Sequence, residues 1–111
     1  MGLDNIFVAP PEQTRPLEPY PGRLRVVGAH GNNYGFRGGQ YAMFFESEFE
    51  LSLYSDLAPV VVQEVRYLIE EIEWSEIEDE YRHPSTRREL RDLAKLFGHY
   101  ADQGAKLVAW S

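Results

Sequence analysis

The sequence predicts an α+β fold in a single small domain spanning 1–111. Two observations carry this. Short runs of β-branched and aromatic residues lie near both ends of the chain, at 3–9 and 106–110, which is strand composition. Two stretches in the second half, 57–78 and 86–102, repeat apolar residues every three or four positions, the spacing of a helix with one buried face. A chain of 111 residues buries enough surface to fold without a disulfide or a structural metal.

The first strand is expected at 3–9, where Ile6-Phe7-Val8 forms its apolar end. Pro10, Pro11, Pro16, Pro19 and Pro21 follow within twelve residues. Proline lacks an amide donor and restricts φ, so 10–22 reads as an extended loop packed on the domain. Arg23-Leu24-Arg25-Val26-Val27 alternates charged and apolar residues and predicts a second strand at 23–28. The glycine- and asparagine-rich stretch 28–39 reads as a loop.

Residues 40–54 fit two patterns. Tyr41, Phe44, Phe45, Glu48 and Phe49 stand at helical spacing, while Phe45, Phe49, Leu51 and Leu53 alternate with polar residues as in a strand. The expectation is a helix over 39–48, followed by an extended segment that ends at Tyr54. The helix over 57–78 has Asp56 at its start and Pro59 in its first turn. Val61, Val65, Leu68, Ile69 and Ile72 make its apolar stripe. Seven acids from Glu70 to Glu80 crowd its C-terminal half, where negative charge opposes the helix dipole. A neighbouring basic element is expected to offset them, bringing Glu76 and Glu80 near Arg87 and Arg88.

That element follows the His83-Pro84 turn. Thr86-Arg87-Arg88-Glu89 matches a capping box for the helix over 86–102. Leu90, Leu93, Ala94, Phe97, Tyr100 and Ala101 form its apolar face, and Gly104 is its stop. Lys106 to Trp110 is the last strand, with Phe97 and Trp110 expected in the core.

Composition bounds the function. The absence of cysteine removes thiol catalysis and thiolate metal sites, and fits a reducing compartment. The N-terminus has neither a basic leader nor a long apolar run, so a cytoplasmic location without membrane attachment is expected. The net charge is −7, and eight acids against the single base Arg66 between 64 and 80 account for all of it. A protein of this balance is not expected to bind nucleic acid through bulk charge.

Met1-Gly2-Leu3-Asp4-Asn5, Phe36-Arg37-Gly38 with Ser52-Leu53-Tyr54 downstream, and Asp92-Leu93-Ala94 through to Trp110 resemble parts of a group of small bacterial and phage proteins. The resemblance covers most of the chain loosely and about fifteen residues closely. It implies a helix after Phe36-Arg37-Gly38 and implies no activity, cofactor or ligand. The sequence departs from the pattern at Gly39, where a helix former is expected after Phe-Arg-Gly.

No catalytic constellation is visible around His30, His83 or His99, and no cofactor is expected. Glu80 and His83 have the Glu-x-x-His spacing of helical metal sites, but such sites need a second motif, and none is present. Trp74, Ile77 and Tyr81 form a stripe off the main apolar face, a residue set enriched in partner surfaces. In loop 28–39, Asn32, Asn33, Tyr34, Arg37 and Gly38, with Tyr41 beyond it, combine hydrogen-bonding, stacking and cationic groups ahead of a helix start, where backbone amides collect anions. The plainer reading of that loop is a structural turn with Arg37 paired to the acidic helix. The expectation is a small interaction or accessory protein without enzymatic activity, self-associating or binding a protein partner. The alternative is a protein that binds a small, nucleotide-like anion through loop 28–39.

Overall fold

Hydrophobic alternation over the first residues builds the centre of the molecule. In the computed structural model, which describes residues 3–26, 28, 34–76 and 84–110, Asp4–Val8 forms strand β1. Leu3, Asn5 and Phe7 turn inward, while Asp4, Ile6 and Val8 turn outward, as the two-residue period of a strand requires. β2 (Gly35–Arg37) pairs antiparallel with β1, setting Asp4 opposite Arg37 and Asn5 opposite Phe36.

The order along the chain continues with α1 (Ala42–Phe49), α2 (Pro59–Glu70), α3 (Pro84–Ala101) and β3 (Lys106–Trp110). β3 pairs antiparallel with the other side of β1, from Asp4 opposite Trp110 to Val8 opposite Lys106. The result is a three-stranded sheet of order β2-β1-β3 with three helices, an α+β domain as the sequence predicts.

One predicted strand is not formed. Residues 23–26 are irregular, and the second strand comes instead from inside the stretch expected to be loop. Both edges of β1 are occupied by β2 and β3, and the alternating Arg23-to-Val26 run pairs with none of the three strands. Val26 is buried, and the Arg25 amide donates to Asp92 Oδ2 at 2.8 Å. Glycine makes β2 fit, because a Cβ at Gly35 would strike the Asn5 carbonyl.

A 3-10 turn at Gly38–Gln40 precedes α1, which starts at Ala42 rather than 39. The helix after Phe36-Arg37-Gly38 is present, and it buries Phe44 and Phe45. Glu50, at φ 55°, takes the left-handed conformation that ends it, and the Glu50 amide donates to the Phe45 carbonyl. No extended segment follows. Leu53 instead lies fully buried in a turn.

Pro59 begins α2, with Ala58 as its N-cap. Asp56 serves the sheet instead: its Oδ1 accepts the Ala109 amide at 2.9 Å. Leu57 and Leu107 exchange backbone hydrogen bonds at 2.8 and 3.0 Å, closing the outer edge of β3. Buried residues of α2 are Val62, Val65 and Ile69, with Val62 in the place expected for Val61. The helix stops at Glu70, eight residues before the expected 78, and a 3-10 turn follows at Trp74–Glu76. Prolonging it would gather more carboxylates at the negative end of its dipole.

The third helix starts at Pro84, so Thr86 lies inside it and is not its cap. Leu90, Leu93, Leu96, Phe97 and Tyr100 are fully buried. Gly104, at φ 72°, turns the chain out of the helix, and the Ala105 amide returns to the Tyr100 carbonyl at 3.1 Å. α2 and α3 run antiparallel: Arg66 reaches Asp102 at 2.8 Å near one end, and Trp74 meets Arg87 at the other. Hydrogen bonds to Tyr67 and Asp102 raise the Arg66 pKa above its ordinary value.

An aromatic cluster joins sheet to helices. Phe7 stacks on Tyr100 with centroids 4.6 Å apart and meets Phe97 edge-on at 5.2 Å. Trp110, expected in the core, is 66% exposed, because it falls on the outward parity of β3 with Lys106 and Val108. The proline-rich loop is packed down through buried Leu17 and through the Glu18 amide, which donates to Gln103 Oε1 at 2.8 Å. Among the described residues, no helix is long and apolar enough to cross a membrane.

Candidate partner-binding groove

The antiparallel pairing of α2 and α3 leaves a groove of about 600 Å³ where α2 has ended and α3 is still near its start. Its floor is apolar, formed by Ile69, Ile72, Trp74 and Ala94. Ile69 and Ala94 are buried, whereas Ile72 and Trp74 are half-buried. The early end of α2 creates the opening, because the chain leaves the helical path and Trp74 turns back toward α3.

Opposite charges line the two sides. Arg87, Arg88, Arg91 and Lys95 stand along α3, with Arg25 beside them. Positions 87, 88, 91 and 95 share one helix face, since residues three or four apart are neighbours. The Arg87 guanidinium lies 5.1 Å from the centre of the Trp74 ring, within cation–π range. Lys95 pairs with Asp92 at 3.5 Å, while Arg25, Arg88 and Arg91 form no ion pair with another described residue. Glu70 faces them from the end of α2, and Glu71 and Glu73 are exposed just beyond it.

The sequence stripe Trp74-Ile77-Tyr81 is therefore represented here by Trp74, since Ile77 and Tyr81 lie outside the described residues. Glu80, His83 and the Glu76 side chain lie outside them as well. Among the described residues, no cluster of histidine and carboxylate side chains is arranged to hold a metal ion. The remaining groove residues were legible in part. The basic face of α3 is a sequence pattern, but Arg25 arrives from a segment read as strand.

The residues singled out around loop 28–39 are distributed otherwise. Arg37 belongs to β2 and pairs with Asp4 at 3.2 Å, so its carboxylate comes from the neighbouring strand and not from the acidic helix. The Tyr34 hydroxyl donates to the Leu17 carbonyl at 3.0 Å, and the buried Tyr41 hydroxyl donates to Glu89 Oε2 at 3.2 Å. Gly38 is buried, and its amide donates to the Leu3 carbonyl at 3.0 Å. Asn32 and Asn33 lie outside the described residues. A cleft of about 270 Å³ beside Asp4, Tyr34 and Gly35 borders this region. Residues 3–5 thus meet Arg37, Gly38 and Leu53 in one junction: Asp4 against Arg37, Leu3 against Gly38, and Asn5 against Leu53.

No protein-family model matches the chain, and no curated protein or solved structure does either.

Proposed function

We propose that this protein is a small interaction module that holds an acidic segment of a protein partner in the groove between α2 and α3. The observation that carries this reading is the half-buried Trp74, set in an apolar floor beneath Arg87 and flanked by Arg88 and Arg91. Tryptophan and arginine together are the residue types that concentrate binding energy at interfaces. A carboxylate-bearing segment with one apolar side chain satisfies both halves of the groove: its acids meet the guanidinium groups, and the apolar residue covers Ile72 and Trp74.

The local sign of charge supports the same partner. The whole chain is at −7, so an acidic partner is repelled at long range and gains only close to α3, within about 8–10 Å at ordinary ionic strength. Binding is therefore specific to this face and weakens with added salt.

Fluorescence anisotropy with a labelled Glu-rich peptide carrying a single leucine tests the reading. The expected result is saturable binding to the wild-type chain, weakened at least tenfold in Trp74→Ala and in Arg88→Glu/Arg91→Glu. Absence of binding to wild type, or equal binding to all three proteins, refutes it. Circular dichroism of each variant establishes that the fold is retained.

A further inference from the structure

We infer that the anion this groove selects on its partner is a phosphorylated side chain, held as a dianion by Arg25, Arg88 and Arg91. The inference rests on the reading of the groove as a site for an acidic segment, and it names the chemical group that the site prefers.

The lining is unbalanced in charge. Five cations stand against two acids, Glu70 and Asp92, an excess of three positive charges. Asp92 is already committed: its Oδ2 accepts the Arg25 amide at 2.8 Å, and its Oδ1 lies 3.5 Å from Lys95. The Arg87 guanidinium is set against the Trp74 ring. Arg25, Arg88 and Arg91 remain, without an ion pair to another described residue and with Glu70 as the one acid left in the lining.

The helix brings these three together. Arg91 lies three residues after Arg88 and Asp92 lies four after it, so all three are neighbours on the surface of α3. Asp92 then anchors Arg25 beside the row, and it does so through the main-chain amide, which leaves the Arg25 guanidinium unengaged. Like charges gathered in this way repel one another, and an incoming anion relieves the repulsion.

A carboxylate answers the excess poorly, because it brings one negative charge on two oxygens. A phosphomonoester carries about −1.5 to −2 charges at neutral pH on three strong acceptor oxygens. Arginine presents paired N–H donors that engage such oxygens two at a time. The dianion therefore neutralises more of the excess and offers one oxygen to each of the three guanidinium groups. The apolar floor favours a peptide as the carrier: Ile72 and Trp74 are covered by an apolar side chain next to the phosphorylated residue, which inorganic phosphate lacks.

The test uses the Glu-rich, leucine-bearing peptide with one position made Glu, phosphoserine or Ser, and fluorescence anisotropy with the full chain. The expected result is that the phosphoserine peptide binds about tenfold or more tighter than the Glu peptide, as an added charged hydrogen-bonding group implies. In Arg88→Gln/Arg91→Gln this ratio falls to about threefold or less, with circular dichroism as the control for folding. The ratio also falls between about pH 7.5 and pH 5, because the second phosphate ionisation lies near pH 6, whereas Glu stays ionised across that range. Changes in the protein itself affect both peptides and leave the ratio alone.

Equal binding of the phosphoserine and Glu peptides to wild type overturns the inference, as does a preference that survives in the double variant or at pH 5. Displacement of the phosphoserine peptide by inorganic phosphate at matched concentration overturns the peptide as carrier. Capture of the chain by vesicles bearing phosphoinositide headgroups, with no binding of the phosphoserine peptide, does the same. The Glu peptide separates these failures from failure of the groove reading. If it binds wild type and phosphorylation adds nothing, the groove stands as an acidic-segment site and the phosphate preference is lost. If neither peptide binds, the groove reading itself fails.

Discussion

The Asn5 side-chain amide donates to the main-chain carbonyl of Leu53 at 2.9 Å, with Asn5 and Leu53 both sealed from solvent. The bond ties the central strand to the turn after α1 across 48 residues of sequence. A buried carbonyl left without its donor keeps its desolvation cost, typically about 1–3 kcal/mol. Asn5→Ala should therefore lower the stability by at least that range in urea denaturation, with an unchanged slope. A loss below about 0.5 kcal/mol, the size of an ordinary surface substitution, would show that the Leu53 carbonyl finds another donor.

The other end of the same amide meets Gly38. Asn5 Oδ1 is buried without a hydrogen-bond partner among the described residues, and a Cβ at Gly38 would land on it. Gly38→Ala should destabilise strongly in the wild-type background and much less when Asn5 is already alanine, because the clashing oxygen is gone. A coupling of about 0.5–3 kcal/mol is expected for residues in such contact. Additive losses in the double-mutant cycle would place the cost of Gly38→Ala elsewhere, in the 3-10 turn.

Glu50 ends α1 at φ 55°, a left-handed conformation that costs a residue with a Cβ roughly 1–2 kcal/mol. Its side chain is exposed, so little is lost on removing it. Glu50→Gly is expected to raise the stability by roughly 0.5–1 kcal/mol, less than the full strain because glycine gives up more entropy on folding. A lower thermal midpoint for this variant would contradict the assigned helix stop.

Burial pushes the Tyr100 phenol up to about 12, against the partial opposition of a hydrogen bond with the Tyr20 backbone. The folded pKa thus lies above the unfolded value near 10, and the folded state holds this proton longer. Its contribution is complete below about pH 10 and is lost as pH rises toward 12, a change of roughly 2–3 kcal/mol. Absorbance titration of the phenolates should show Tyr100 ionising near pH 12, together with loss of the near-ultraviolet circular dichroism. Tyr100→Phe should flatten the decline in stability across this window. An unchanged decline would assign it to other groups.

Strong local periodicity made the last strand and the core face of α3 legible. Lys106–Trp110 is a strand at its expected bounds, and Leu90, Leu93, Ala94, Phe97 and Tyr100 are buried as their spacing implies. The strand over 23–28 failed because alternation describes a half-buried segment, whether or not a ladder is open to it. Trp110 failed as a core residue for a related reason: apolar character predicts burial on average, but the parity of a strand decides which side faces the helices.

Of the candidate site, the sequence held the parts and not their arrangement. The basic face of α3, the acids after Glu70 and the aromatic Trp74 are all visible as residue types at a spacing. Their assembly into one groove depends on α2 ending at Glu70 and on Arg25 lying beside α3, where its main-chain amide donates a hydrogen bond to Asp92 Oδ2.

By itself, then, the sequence determined the α+β class, the central strand near its start, the existence of all three helices and the sign of the local charge. These follow from burial at a fixed period and from charge density, both of which are properties of neighbouring residues. Only the tertiary structure decided that Gly35–Arg37 is the second strand, that Arg37 pairs with Asp4, and that Asn5 anchors to Leu53. Each of these joins residues far apart in sequence, and which partner a strand edge or a buried amide takes is set by the competition among all segments that reach it.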